Sequence, residues 1–260
     1  MDLNLKDKII VITGGTQGIG EAITTRVAEE GGIPVCIGLD DAHGPNLVSK
    51  LQGKGFTCHF IPADLTEEGA CKAVISKIEK AYGVMYGLVN NFGINDGVGL
   101  EQGSPEAFKN SVHRNLVHVY EMAHFALPYL KKTRGSIVNI SSKTAVTGQG
   151  GTSGYTAAKG GILSLTREWA VELLSYGIRV NAVVPAEVWT PLYQRWIQSF
   201  SNPQEALEAI TQKIPLERRM TTPEEIADTA VFLLSDRATH TTGQWLFVDG
   251  GYTHLDRRLS

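Results

Sequence analysis

Short apolar segments alternate along this chain with segments of helical periodicity, and this alternation restricts the fold more than any other feature. Seven of the apolar segments are rich in β-branched residues and continuously apolar, which is typical of strands covered on both faces. Because parallel strands are joined through helices, the pattern predicts an α/β fold with a doubly wound, seven-stranded parallel sheet and helices on both faces. The predicted strands are residues 8–13, 34–39, 58–63, 86–91, 135–141, 178–184 and 244–249.

Helical spacing is evident in residues 20–32, 67–83 and 153–177. The connection between the sixth and seventh strands is longer than the others, and residues 186–222 form a predicted insertion there. No linker, repeat or low-complexity segment divides the chain, so we predict one domain over residues 1–260. Ligands bind at the carboxyl ends of the strands in such sheets, and we expect the insertion to cover that edge.

Charge and composition argue against several classes of partner. The 24 Lys and Arg residues are spread along the chain and offset by 27 Asp and Glu residues, for a formal charge of −3. Nucleic acid and anionic membranes are therefore not expected as partners. No apolar stretch approaches the roughly 20 residues needed to cross a bilayer, and the first residues have no apolar core typical of a signal peptide.

Cysteine and histidine usage favours a cytoplasmic protein without a metal site. The 3 cysteines form no CxxC pair, and their odd number argues against a disulfide framework. His113, His118 and His124 fall in one predicted helix, but spacings of five and six residues do not place them on one face. We expect reduced thiols and no bound metal.

A glycine-rich segment, ITGGTQGIGEA at residues 12–22, follows the first predicted strand and opens the first helix. Gly14, Gly18 and Gly20 would let the backbone turn tightly and approach a pyrophosphate, which the amides at the helix N-terminus would bind. A glycine cluster alone is a weak signal, and a plain tight turn would also explain it. Its place between a strand and a helix favours a dinucleotide-binding Rossmann fold.

Two acidic residues indicate which nucleotide binds and how it is held. Asp40 lies near the end of the second strand, where a carboxylate can accept hydrogen bonds from ribose hydroxyls and repel a 2′-phosphate. The segment GLDDAHG contains no Lys or Arg, so NAD is favoured over NADP; Gly38 at the key position, or a turn role for Asp40, are the alternatives. Asp64 could bind the adenine amino group or cap a helix that starts near Thr66.

Several motifs together resemble the short-chain dehydrogenase/reductase family. They occur in the family's order and spacing across almost the whole chain, with Phe92 and Ala186 as departures from the usual alanine and glycine beside the nicotinamide pocket. The resemblance implies an NAD(P)-dependent oxidoreductase. The matching motifs are TGGTQGIG at 13–20, ADL at 63–65, NNFG at 90–93, Asn115, Ser142, YTAAK at 155–159 and RVNAVVPA at 179–186.

The catalytic residues implied by the resemblance are Asn115, Ser142, Tyr155 and Lys159. Tyr155 and Lys159 share a helix face at a spacing of four residues, and a phenolate near pH 7 needs the tyrosine pKa lowered by roughly 3, or about 4 kcal/mol. An ammonium about 4 Å away supplies on the order of 4 kcal/mol at an effective dielectric near 20, so Lys159, helped by a positive nicotinamide, is large enough as a cause. Tyr155 would then be the general base, Ser142 would bind the substrate oxygen, and Asn115 would hold a water linked to Lys159. A solvated helix pair is the alternative.

Family positions that line the cofactor can be carried over residue by residue, with loop structure as the alternative. Lys159 is also expected to bind the nicotinamide ribose. The implied cofactor-binding residues are Gly14, Gln17, Gly18, Ile19, Gly20, Asp40, Asp64, Leu65, Asn91, Gly93, Tyr155, Lys159, Pro185, Val188 and Thr190. The resemblance also implies a homotetramer built through helices 105–132 and 153–176 and the seventh strand with its tail, HLDRRLS at 254–260.

The predicted insertion favours a small polyhydroxylated substrate, because Trp189 and Tyr193, one helical turn apart, bracket polar side chains; ordinary packing is the alternative. The segments NISSKTAVTGQG, PAEVWTPLYQRWI and WLFVDGGYTHLDR resemble the bacterial L-fucose dehydrogenases of the family, which implies oxidation of C1 of L-fucose or a related aldose to the lactone. A 3-oxoacyl-thioester reductase or a hydroxysteroid dehydrogenase is the rival. The expected substrate-binding residues are Asn95, Ser142, Lys143, Gln149, Tyr155, Glu187 and Trp189.

Overall fold

The seven apolar segments form one parallel sheet in the computed structural model of the protein, which describes residues 1–39 and 41–255. The strand order is β3-β2-β1-β4-β5-β6-β7, and every neighbouring pair is parallel. This confirms the predicted doubly wound α/β fold. The strands are β1 Ile9–Thr13, β2 Ile33–Gly38, β3 His59–Pro62, β4 Gly87–Asn90, β5 Ser136–Ile140, β6 Arg179–Pro185 and β7 Trp245–Val248.

Ten α-helices connect and cover these strands within the described residues. Each predicted strand lies within one or two residues of an observed one. The helices are α1 Gly18–Glu29, α2 His43–Gln52, α3 Ala70–Tyr82, α4 Pro105–Val112, α5 His118–Thr133, α6 Thr144–Thr147, α7 Ser153–Glu172, α8 Pro191–Ile197, α9 Pro203–Thr211 and α10 Pro223–Leu234. In the part of the chain that the structure describes, no helix is long and apolar enough to cross a membrane.

Both faces of the sheet are buried, as continuous apolar strands require. Val11 of β1 packs in the cluster formed with α3, α5 and α7, whereas Ile10 and Ile12 pack in the cluster formed with α1 and α10. The helices thus cover the sheet from opposite sides. A ligand of such a sheet binds at the carboxyl ends of the strands, in the crevice where the strand order reverses between β1 and β4.

The predicted continuous helix over 105–132 is wrong in one detail. Residues His113–Val117 form a π-helical turn between α4 and α5. Asn115 lies in this turn with no exposed surface, and it donates from Nδ2 to the carbonyl of Ser111 at 3.0 Å. One wide turn changes which side chains face inward without disturbing the helical periodicity on either side.

The insertion at residues 186–222 contains α8 and α9 and is fastened at its base. Val188 and Thr221 form an isolated parallel bridge, and the amide of Trp189 donates to the carbonyl of Thr221 at 2.9 Å. Thr190 caps α8, accepting from the amide of Tyr193 at 3.2 Å. Trp189 therefore precedes α8, so the expectation that Trp189 and Tyr193 lie one turn apart on a helix is wrong.

Candidate active site

A cavity of about 370 Å³ opens at the carboxyl ends of β1, β4, β5 and β6. It lies at the point where the strand order reverses, and α8 of the insertion forms one of its walls. The residues that line it are Gly14, Gln17, Gly18, Ile19, Asn91, Phe92, Gly93, Asn95, Ile140, Ser141, Ser142, Tyr155, Lys159, Pro185, Ala186, Val188, Thr190, Pro191, Leu192, Tyr193 and Arg195.

The loop after β1 has a backbone that only glycine fits. Gly14 has a φ of 60°, and a Cβ added to Gly20 would overlap the carbonyl oxygen of Gly14. Asn91 holds this loop from β4, because its Nδ2 donates to the carbonyls of Thr13 and Gly14 at 3.0 Å each. The close contact brings the N-terminus of α1 directly against the loop.

The N-terminus of α1 is suited to bind a phosphate group. Its N-cap residue, Gln17, makes no side-chain capping bond, so the first amides of the helix have no side-chain acceptor at that position. Gln17, Gly18 and Ile19 all line the cavity. This cradle fits the pyrophosphate of a dinucleotide, since the helix dipole and the amide groups both favour an anion there.

Ser142, Tyr155 and Lys159 line the same cavity although they belong to different elements. Ser142 follows β5, and Tyr155 and Lys159 lie in the first two turns of α7. Lys159 is 2% exposed, and its Nζ donates to the carbonyl of Ile140 at 2.8 Å and lies 5.6 Å from the centre of the Tyr155 ring. The glycine-rich segment between Ser142 and α7 lets the two elements converge.

Burial dominates the electrostatics of this cluster. It raises the pKa of Tyr155 to about 12, against the opposing effect of a hydrogen bond with Ser142. Burial also lowers the pKa of Lys159 from its ordinary value of 10.5 to about 8. Removing both groups from water favours their uncharged forms, so burial opposes the lowering of the tyrosine pKa that the sequence argument assigns to Lys159 together with a positive nicotinamide.

Asn115 does not line the cavity. Its Oδ1 accepts from the amide of Ile94 at 2.8 Å, so the side chain fixes the loop that follows β4. A Cβ on Gly93 in that loop would lie 3.1 Å from Asn115 Oδ1 and 3.2 Å from Lys159 Nζ. Asn115 is thus close to Lys159 but both ends of its amide already have protein partners.

Most of the predicted cofactor-binding residues lie at the cavity, and the exceptions have other environments. Gly20 packs against Gly14 behind the loop. Asp64 accepts from the amide and the hydroxyl of Thr66 at 2.9 Å and 2.7 Å, which lowers the pKa of its carboxyl group, and it does not cap α3, whose N-cap is Gly69. Leu65 is buried in the core. Asp40 lies outside the described residues.

The expected substrate contacts divide into two groups. Asn95, Ser142 and Tyr155 line the cavity. Lys143, Gln149, Glu187 and Trp189 are not among its lining residues. Lys143 and Glu187 are largely buried and form an ion pair with each other, Gln149 is exposed, and the amide of Trp189 donates to the carbonyl of Thr221.

Four lining residues were not predicted from the sequence: Ile140, Ser141, Pro191 and Leu192. Ser141 lies beside Ser142 and donates to the carbonyl of Lys159 at 2.9 Å, which ties β5 to α7. Pro191 is the first residue of α8, and a threonine–proline pair is a helix-start signal that could have placed it. Tyr193 and Arg195, which the sequence places in the insertion, face the cavity from the same helix.

Comparison with known proteins agrees with this geometry. A family model described as Enoyl-(Acyl carrier protein) reductase matches residues 14–253. L-fucose dehydrogenase of Rattus norvegicus is 37% identical over 94% of this chain and 88% of its own length. The 3-oxoacyl-[acyl-carrier-protein] reductase FabG of Thermotoga maritima is 34% identical over 96% of this chain and 99% of its own.

Two solved structures are also similar. The crystal structure of Cj0485 dehydrogenase superposes with a TM-score of 0.94 at 48% identity, covering 100% of this chain and 99% of that one. Ligand-free aldohexose dehydrogenase of Thermoplasma acidophilum gives a TM-score of 0.89 at 30% identity, covering 100% and 99%. With the glycine loop, the parallel sheet and the family match over nearly its whole length, the chain belongs to the short-chain dehydrogenase/reductase family and is an NAD(P)-dependent oxidoreductase.

Proposed function

We propose that the protein oxidises C1 of L-fucose, or of a stereochemically related aldose, to the lactone. The observation that carries this proposal is the convergence of Ser142, Tyr155 and Lys159 on a cavity whose further wall offers polar side chains, Asn95 and Tyr193. Similarity to L-fucose dehydrogenases and to an aldohexose dehydrogenase supports a sugar substrate.

The roles of the residues follow from their chemistry. Ser142 binds the oxygen of the reacting C–OH group and orients it, and Tyr155 accepts the hydroxyl proton as general base. The nicotinamide supplies the acceptor for the hydride that leaves the same carbon. Lys159 keeps its proton below about pH 8, and its charge in a site that excludes water favours the phenolate form of Tyr155.

A preference for NAD over NADP is part of the proposal. It rests on the sequence around Asp40, where a carboxylate near the end of β2 would accept from the ribose hydroxyls and repel a 2′-phosphate. No Lys or Arg within residues 38–44 offers a counter-charge for that phosphate. The loop after β1 fits the pyrophosphate of either dinucleotide and does not discriminate between them.

A 3-oxoacyl-thioester reductase is the second candidate function, with a hydroxysteroid dehydrogenase as a related one. The family description and the 34% identity with the Thermotoga reductase favour the thioester reductase. Both rivals would use the same catalytic groups, so only the walls of the cavity distinguish them. Leu192 provides an apolar wall that an acyl chain or steroid could use, whereas Asn95 and Tyr193 favour hydroxyl groups.

The experiment that tests the proposal is a substrate panel with both nucleotides. Aldoses that differ in single stereocentres, steroids and 3-oxoacyl thioesters would be compared by kcat/KM, following NAD(P)H absorbance. We expect L-fucose or a close stereochemical relative to give the highest value, and NAD to exceed NADP. Faster turnover of a thioester or steroid than of any aldose would refute the proposal.

We also propose a homotetramer, packed through α5 and α7 and through β7 with its tail. Tyr120 on α5 and Val171 on α7 are 54% and 70% exposed, which is high for large apolar side chains on neighbouring helices. Residues 256–260 of the predicted tail lie outside the described residues. Sedimentation equilibrium would test the assembly, and a monomeric mass at micromolar concentration would refute it.

A further inference from the structure

Three side chains from separate segments of the chain form a buried polar network behind the cavity. Lys143 follows β5, Glu187 follows β6, and Tyr193 lies in α8. Lys143 Nζ forms an ion pair with Glu187 Oε1, and the Tyr193 hydroxyl donates to Glu187 Oε2 at 2.7 Å. Both carboxylate oxygens of Glu187 therefore have partners within the protein.

A fourth residue connects the network to the end of the sheet. The ammonium of Lys143 lies 3.9 Å from the ring centre of Tyr252, which follows β7. The side chains of Lys143 and Glu187 are only 7% and 15% exposed, so the ion pair is shielded from water and from screening by salt. The network thus joins the loops after β5, β6 and β7 to the start of the insertion.

Tyr193 is the member of this network that lines the cavity. Burial, and next the negative charge of Glu187, raise the pKa of its hydroxyl group, so Tyr193 stays protonated. Because its proton is committed to Glu187, the phenol oxygen can offer the cavity only its lone pairs. A group that meets it there must itself be a hydrogen-bond donor, as the hydroxyl of a sugar is.

We propose that Glu187, held by Lys143, is a positioning residue that orients Tyr193 as a hydrogen-bond acceptor for one substrate hydroxyl away from the reacting carbon. The inference rests on the proposed function, since it needs a polyhydroxylated substrate. It assigns to Lys143 and Glu187 an indirect role in place of the direct substrate contact that the sequence suggests. Ser142, the residue before Lys143, meets the same substrate at the reacting oxygen.

The test compares Tyr193→Phe, Glu187→Gln and the double variant with wild type, using the best aldose of the panel and its monodeoxy analogues. Loss of one neutral hydrogen bond to substrate should raise KM about tenfold in Tyr193→Phe and leave kcat and NAD affinity nearly unchanged. In wild type, removal of one particular hydroxyl from the sugar should raise KM by a similar factor. Tyr193→Phe should no longer distinguish that deoxy sugar from its parent.

Glu187→Gln should also raise KM. The KM of the double variant should equal that of Tyr193→Phe within about twofold, because Glu187 acts through Tyr193. Tyr82→Phe, which removes a phenol hydroxyl in α3 outside the cavity, and Glu21→Gln, which breaks an exposed ion pair with Lys50, are the matched controls and should leave KM unchanged. A thermal melt of each variant checks folding, and Tyr193→Phe with the deoxy sugars decides alone if Glu187→Gln does not fold.

The two proposals fail in different ways. A wild-type protein that oxidises no aldose refutes the proposed function, and with it the need for a hydroxyl acceptor. Wild-type aldose turnover together with an unchanged KM in Tyr193→Phe, or with additive effects in the double variant, overturns the positioning role and leaves the proposed function standing.

Discussion

Replacing Lys159 with Met should make the stability of the protein less dependent on alkaline pH while abolishing its turnover. Lys159 is buried, and its pKa of about 8 lies below the ordinary 10.5 that applies in the unfolded chain. Below about pH 8 the folded protein therefore carries a buried ammonium at a cost of about 3 kcal/mol relative to water. Met has a similar length and no charge, so it removes this cost.

The sign of the pH dependence follows from proton binding. Between about pH 8 and about pH 10.5 the unfolded state binds more protons at this lysine than the folded state does, so the free energy of unfolding rises with pH. From about pH 7 to about pH 9 the wild type should gain about 1 kcal/mol from this group. His118, with a pKa lowered to about 3, and Tyr155, with a pKa near 12, do not titrate in that window.

The stability difference at neutral pH is smaller than the burial cost because a hydrogen bond is lost as well. Lys159 Nζ donates to the carbonyl of Ile140 at 2.8 Å, and leaving that buried acceptor without its donor costs about 1–3 kcal/mol. At about pH 7 we therefore expect Lys159→Met to be as stable as wild type or about 2 kcal/mol more stable. Its advantage should shrink as the pH rises.

Urea unfolding at several pH values between about 7 and 9.5 measures the free energy of unfolding of wild type and Lys159→Met. Lys50→Met is the control for loss of an exposed lysine. The control should follow the wild-type curve. Curves for wild type and Lys159→Met that stay parallel across the window would show that Lys159 is not a desolvated ammonium, and the assignment of its lowered pKa to burial would fail.

Three further substitutions, with Gly160→Ala as a control, test other parts of the site. Tyr155→Phe should reduce kcat below detection and leave the dissociation constant for NAD within about threefold, as measured by fluorescence titration; retained turnover would refute the base assignment. Gly20→Ala puts a methyl group 2.7 Å from Asn91 Nδ2 as well as onto the Gly14 carbonyl, and should cost about 2 kcal/mol or more of stability and abolish NAD binding. Gly160→Ala, with open space around its added Cβ in α7, should instead stabilise the protein by about 1 kcal/mol, and equal effects at the two glycines would contradict the close-approach argument. Asp40→Ala should lower the NAD to NADP preference in kcat/KM by about tenfold, and an unchanged ratio would remove Asp40 from nucleotide recognition.

The fold could be predicted from the sequence because a strand that is buried on both faces consists of consecutive apolar residues. Ile9–Thr13 is apolar at four successive positions, which a strand exposed on one face could not be. The glycine loop could also be predicted from the sequence. The overlap at Gly20 and the positive φ at Gly14 mean that only glycine fits at these two positions. Both signals are local in the sequence: one is a run of apolar residues and the other a cluster of glycines.

Features that depend on distant partners could not be predicted in the same way. The ion pair of Lys143 with Glu187 joins positions 44 residues apart, and neither residue alone reveals that the other satisfies it. The π-helical turn at Asn115 adds one residue to a helix whose apolar periodicity is otherwise regular. Trp189 lies two residues before α8, because Thr190 caps that helix and Pro191 begins it, and a shift of one or two positions changes which way a side chain points.

The Tyr155 and Lys159 pair shows what sequence reasoning leaves out, because the spacing of the two residues is visible in the sequence and their burial is not. A Coulomb argument from the spacing of four residues predicts a lowered tyrosine pKa, and the attraction between phenolate and ammonium is real. Burial opposes it, raising the pKa of Tyr155 to about 12 and lowering that of Lys159 to about 8, and burial is a property of the whole fold. The residues of the chain alone therefore hold Tyr155 as a hydroxyl group at neutral pH. The general-base role that we propose for Tyr155 therefore relies on the positive charge of the nicotinamide as well as on that of Lys159.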